Sequence, residues 1–119
     1  YFRKIENKYL LELSLKNEKK IISTGGGTPC FKNNLEIIQT SSNSISVYLK
    51  ANIETLVKRL LHSIDKRPII SHLKKEDELK EFITKHLFER SFYYEKSDVK
   101  IKTDDIELKD IVKLIGELI

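Results

Sequence analysis

An α/β domain with a parallel sheet is what this 119-residue sequence predicts. Stretches with apolar residues at helical spacing alternate with short runs centred on β-branched residues along the whole chain, which is the order of helices packed on parallel strands. One of those runs, Lys20-Ile21-Ile22-Ser23, leads straight into Thr24-Gly25-Gly26-Gly27-Thr28-Pro29-Cys30, and open α/β sheets bind ligands at the carboxyl ends of their strands. The length is that of one domain over 1–119, enough for a modest core and too short for two.

The first element is a helix over 2–13, where Phe2, Ile5, Tyr9, Leu10 and Leu13 share one face. Glu6 falls inside that face, and an acid in an apolar stripe needs a partner, for which Arg3 stands three residues away. A strand over 20–23 follows, then the glycine triplet. Three glycines supply backbone that can take positive φ and approach a ligand with free N–H groups and no Cβ in the way. A flexible linker is the alternative, against which the preceding Ile21 and Ile22 and the stiffening Pro29 both argue. A short helix over 34–39 ends at the polar run 40–44, and a second strand spans 45–50. Asn52 then caps a helix whose Ile53, Leu56, Val57, Leu60, Leu61 and Ile64 form an apolar stripe.

The segment 65–75 carries no periodicity and reads as a mobile loop. A helix over 76–96 places Leu79, Phe82, Ile83, His86, Tyr93 and Tyr94 on one side, with Arg90 in the middle of that apolar face. An arginine there has to be neutralised either by a protein carboxylate such as Glu6 or by an anionic ligand. A third strand over 99–103 and a last helix over 106–118, burying Leu108, Ile111, Val112, Ile115 and Leu118, complete the chain.

The net charge of +4 is spread along the chain with acids interleaved, a balance that favours an anionic ligand over a nucleic-acid groove. Phe and Tyr fall on buried stripes and do not interleave with a basic patch, so nucleic-acid binding is weakly supported. No stretch reaches the roughly 20 apolar residues of a membrane span, and a soluble, cytoplasmic protein is expected. The single cysteine, Cys30, reads as a small buried hydrophobe, and His62, His72 and His86 share no metal-ligand spacing.

Five signatures in one order resemble the shikimate kinases: Phe2-Arg3-x-x-Glu6, Ser23 to Cys30 with the glycine triplet, Val47-Tyr48-Leu49-Lys50, Arg67-Pro68, and Arg90-x-x-x-Tyr94. The resemblance covers nearly the whole chain and implies a P-loop kinase-like parallel sheet flanked by helices, acting as a monomer on shikimate and ATP with Mg²⁺. It implies transfer of the γ-phosphoryl group to the 3-hydroxyl of shikimate, a step towards aromatic amino acids. Such chemistry needs positioning and cancellation of negative charge. By resemblance Arg3 and Arg90 grip the substrate carboxylate, Gly25, Gly26 and Gly27 line the substrate with main-chain N–H groups, and Glu6 orients the arginines or a hydroxyl. The same resemblance implies that Arg67 is the catalytic residue, on a lid loop at 65–75 that closes over ATP, that Arg59 lies near the adenine, and that Ser23 holds a magnesium-bound water.

The departures from the family pattern carry information too. The 119 residues contain no G-x-x-x-x-G-K-[ST], the phosphate cradle of such enzymes, nor the family's substrate-contacting Asp that follows it. The sequence is therefore expected to be the carboxyl-terminal two-thirds of a shikimate kinase, lacking the first two strands of the sheet and inactive alone. A non-catalytic shikimate-binding fragment and another small P-loop kinase, such as gluconate kinase, are the alternatives.

Overall fold

A computed structural model describes residues 1–63 and 76–119. The elements run α1 (Phe2–Leu15), a 3₁₀ turn (Thr28–Cys30), α2 (Asn34–Thr40), β1 (Val47–Lys50), α3 (Ile53–Leu61), α4 (Glu76–Tyr94), β2 (Val99–Lys102) and α5 (Leu108–Leu118). The class is α/β, with β1 and β2 paired in a two-stranded sheet among the described residues. The pairing is parallel: the Val99 N–H donates to Ser46 O at 3.0 Å and, four residues further along both strands, the Thr103 N–H donates to Lys50 O at 2.7 Å.

The chain divides into two compact units, Tyr1–Tyr48 with Arg90–Val99 and Leu49–Glu89 with Lys100–Ile119. In the first, Leu10 of α1 and Ile37 of α2 are the buried apolar side chains. Buried polar groups join them, because Asn34, with no exposed surface, donates to the Thr28 carbonyl at 2.8 Å and accepts from Asn7 Nδ2 at 2.6 Å. That amide ties α1 to the start of α2 and to the turn between them. In the second unit, Val57, Leu79 and Ile83 form the core, with Ile53, Leu56, Leu60, Leu61, Phe82 and Leu87 packed around it. Helix α3 starts where Asn52 Oδ1 accepts the Thr55 N–H at 2.9 Å, as the sequence predicts, and Lys58 and Arg59 in its last turn complement the helix dipole. The acidic first turn of α4, Glu76-Asp77-Glu78, does the same at the opposite pole.

Three expectations are corrected. Residues 20–23 form no strand: no backbone hydrogen bond reaches them from the described residues, and Ile21 is 84% exposed. An apolar run becomes a strand only when a neighbour takes up its N–H and C=O groups. In α5 the apolar stripe is only partly used, since Ile111 is buried while Leu108 and Val112 are exposed. Phe2 and Tyr9 of α1 likewise face outward. Ile64 and the loop at 65–75 lie outside the described residues.

Candidate substrate site

Helix α1 brings Arg3 and Glu6 onto one face, three residues apart. Arg3 Nη1 donates to Glu6 Oε1 at 2.6 Å, and the second carboxylate oxygen accepts the Thr28 hydroxyl at 2.8 Å. Both oxygens of Glu6 are therefore engaged, in a side chain only 16% exposed. Partial burial pushes its carboxyl up, but the hydrogen bonds from Arg3 and Thr28 and the charge of Arg3 outweigh it, and the group titrates below its ordinary value. Glu6 thus holds Arg3 and fastens it to the glycine turn.

The turn itself is closed by the Thr28 N–H donating to Gly25 O and the Cys30 N–H donating to Gly27 O, each at 3.1 Å. No glycine among the described residues has positive φ, and Gly27 sits at φ −87°, ψ −7°, so the expectation of left-handed backbone here is corrected. Space explains the glycines. A Cβ on Gly27 would overlap the Arg3 guanidinium, meeting its Cζ at 2.9 Å, and one on Gly26 would stand 2.9 Å from Arg90 Nη1 and 3.2 Å from the Tyr94 hydroxyl. At Gly25 a Cβ meets nothing closer than the Thr28 hydroxyl, at 3.4 Å. Among the described residues the N–H groups of Gly25, Gly26 and Gly27 find no acceptor.

Arg90 comes from the last turn but one of α4 and is half-buried. Glu6 is engaged by Arg3, and among the described residues Arg90 forms no ion pair. Its neighbour is neutral: Tyr94, one helical turn on, stands with Arg90 beside Gly26 and donates its hydroxyl proton to the Gly26 carbonyl. Of the two partners open to Arg90 in the sequence, the protein carboxylate is absent among these residues. Cys30 is half-buried, where a buried thiol was expected; burial raises it despite the nearby charges of Arg90 and Arg3, so the thiol is neutral.

In the other unit, Arg59 donates to the Thr103 hydroxyl at 3.1 Å and to the Thr103 carbonyl at 2.9 Å. Its guanidinium borders a shallow depression lined also by Thr55, Lys58, His62, Asp104 and Asp105. Asp104 Oδ1 accepts the Asn52 N–H at 2.8 Å.

A model of the shikimate kinase family matches residues 1–119. The chain belongs to that family. It is 46% identical over 119 residues to the shikimate kinase of Flavobacterium johnsoniae and 41% identical over 119 residues to that of Flavobacterium psychrophilum. In each case all of this chain and 68% of the relative are covered. Among solved structures, the shikimate kinase of Bacteroides thetaiotaomicron superposes with a TM-score of 0.86 at 32% identity, over 98% of this chain and 66% of that one. The chain thus spans about two thirds of the length of its shikimate kinase relatives. The fold is the P-loop kinase fold of the shikimate kinases, and the enzyme class is a kinase, a phosphotransferase.

Of the residues the shikimate kinase resemblance singles out, Arg3, Glu6, Gly25, Gly26, Gly27 and Arg90 come together around one turn. Ser23 is exposed two residues before it, and Arg59 belongs to the other unit. Arg67 lies outside the described residues. Sequence reasoning missed Asn7, Thr28 and Asn34 as the turn's support, and gave Tyr94 as part of the apolar face and of a motif without a role. The engagement of Glu6 has a consequence for stability. Because its carboxyl titrates low in the folded state, its contribution is complete above about 4.5, the ordinary value, and is lost as pH falls through the lowered folded value. The melting-temperature gap between the unmodified protein and Glu6→Gln is expected to be widest near neutral pH and to close on acidification. Thermal melts between pH 7 and pH 3 check this, and a gap that widens with acid contradicts it.

Proposed function

We propose that the full-length protein transfers the γ-phosphoryl group of ATP to the 3-hydroxyl of shikimate, in the cytoplasm, as a monomer and as a step towards aromatic amino acids. The observation that carries this is Arg90: a half-buried guanidinium against the open side of Gly26, with no carboxylate partner among the described residues. Such a group is suited to a ligand carboxylate, which its planar fork takes in two parallel hydrogen bonds. Arg3, held by Glu6, is the second cation for the same carboxylate, and the unengaged N–H groups of Gly26 and Gly27 serve substrate oxygens. Together they fix the ring, so that one hydroxyl is presented for reaction; positioning of this kind is what phosphoryl transfer chiefly asks of a protein.

ATP supplies the phosphoryl group, and Mg²⁺ with it neutralises phosphate charge. No group of three His, Cys, Asp or Glu among the described residues could hold a metal. By the family resemblance Ser23 is assigned a magnesium-bound water. By the same resemblance Arg59, which donates two hydrogen bonds to Thr103, is assigned to the adenine, and Arg67 to the transferring phosphate. The 119 residues contain no G-x-x-x-x-G-K-[ST], so these residues alone are expected to lack phosphotransfer activity. Among the described residues no helix is long and apolar enough to cross a membrane.

The test is ADP release by the full-length protein with Mg-ATP and either shikimate or gluconate, with ³¹P NMR of the product. Release that depends on shikimate and is absent with gluconate is expected. Release with gluconate alone would move the assignment to the sugar-acid kinases.

A further inference from the structure

Tyr94 does two things with one oxygen. Its hydroxyl donates to the Gly26 carbonyl and, one helical turn on from Arg90 along α4, presents its oxygen to that guanidinium beside the same glycine. A phenol can do both at once, because it carries one O–H donor and lone pairs that accept. With the proton committed to Gly26, what the oxygen offers Arg90 is an acceptor. The three groups crowd a single point, since a Cβ on Gly26 would lie 2.9 Å from Arg90 Nη1 and 3.2 Å from the Tyr94 oxygen. The ring is braced by Tyr48, with centroids 5.2 Å apart and planes tilted by 50°.

The chemistry of this acceptor matters. A carboxylate at the same place would neutralise Arg90 and compete with any anionic ligand, whereas a neutral phenol orients the guanidinium and leaves its charge uncompensated. Arginine has five N–H donors in a fixed fork. Engaging one edge of that fork leaves another edge to face outward. We infer that Tyr94 is a positioning residue for substrate binding, its hydroxyl holding the Arg90 guanidinium against the Gly26 carbonyl so that a free edge of the fork meets the substrate carboxylate. Burial raises the phenol above its ordinary value, which keeps the O–H in place at neutral pH. The inference rests on the shikimate kinase reading above and adds to it a residue that touches Arg90 and the turn.

The variant is Tyr94→Phe in the full-length protein, which keeps the ring on Tyr48 and removes only the oxygen. Steady-state kinetics with shikimate and ATP, calorimetric titration with shikimate and a thermal melt are run on both proteins. The expected result is a rise of about tenfold in KM and Kd for shikimate, the size of one lost hydrogen bond to a charged group. The KM for ATP stays unchanged, kcat moves by less than about twofold, and the melt is nearly unmoved. An unchanged shikimate KM overturns the inference. So does a much earlier melt with KM unmoved, which assigns the hydroxyl to the fold. If the unmodified protein shows no shikimate-dependent ADP release, the functional reading itself falls and the inference with it; activity in the unmodified protein with an unmoved KM in Tyr94→Phe removes the inference alone.

Discussion

Replacing Arg90 by leucine is expected to abolish measurable shikimate binding while leaving the melting temperature unchanged or slightly raised. The two halves of this expectation have one cause. A buried arginine that balances a protein carboxylate cannot be removed without stranding that carboxylate, at a cost of roughly 3 to 5 kcal/mol. Arg90 has no such partner among the described residues, and the nearest acid in the site, Glu6, is satisfied by Arg3 and Thr28. The free protein therefore loses little, and the Leu side chain replaces a half-buried cation on an apolar helix face. Binding is different, because a desolvated guanidinium–carboxylate pair is worth about 3 kcal/mol or more, roughly a hundredfold or greater in affinity. Arg90→Lys should recover little, a point charge being a poor substitute for a planar fork. Calorimetric titration with shikimate and thermal melts on both variants check it. A Leu variant that melts far earlier and still binds shikimate would falsify the ligand assignment.

The second large effect is expected at Gly27. Its backbone is ordinary, at φ −87° and ψ −7°, so alanine adopts it without strain and even gains about 0.4 to 1 kcal/mol by restricting the unfolded chain. The obstacle is the Arg3 guanidinium, which lies where the new methyl would be. A flexible side-chain tip can move away, and in moving it leaves Glu6. Gly27→Ala should accordingly fold with a melting temperature close to the unmodified protein while shikimate affinity falls by about 2 kcal/mol, roughly thirtyfold, through the displaced Arg3. At Gly25, where the space for a Cβ is ordinary, alanine should cost far less. Equal losses at the two positions would mean that the triplet acts through its backbone and not through the space it leaves.

That contrast marks where sequence reasoning reached its limit. The triplet was legible as a site because apolar residues run into it, but its reason was misread: the sequence shows that a Cβ is missing, not whether φ or a neighbour requires the absence. The Arg3–Glu6 pair was legible because helical spacing fixes which residues face each other three apart. The support beneath it was not. Asn7, Asn34 and Thr28 meet across 6 to 27 residues of separation, and no local pattern encodes which amide finds which carbonyl. Helix positions followed from periodicity, and the Asn52 cap from residue type. Periodicity also named an apolar face on α5 whose Leu108 and Val112 remain exposed, since it reports which side is apolar and not how much of that side is covered. The run at 20–23 fails as a strand for a related reason: its composition suits a sheet, and pairing depends on residues elsewhere.

The Arg3–Glu6 pair also sets the charge that a ligand at the glycine turn would meet. Among the described residues, two arginines and one carboxylate leave a single unit of positive charge around the glycine turn. A ligand bearing one carboxylate brings that sum to zero, and a ligand bearing two anionic groups overshoots it, leaving an excess negative charge. A cluster of two unpaired arginines would attract both kinds of anion and favour the dianion. If the turn takes the ligand proposed above, Glu6 is expected to turn its preference toward the singly charged acid, and added salt to weaken capture only modestly, because the described groups carry one net charge for counterions to screen.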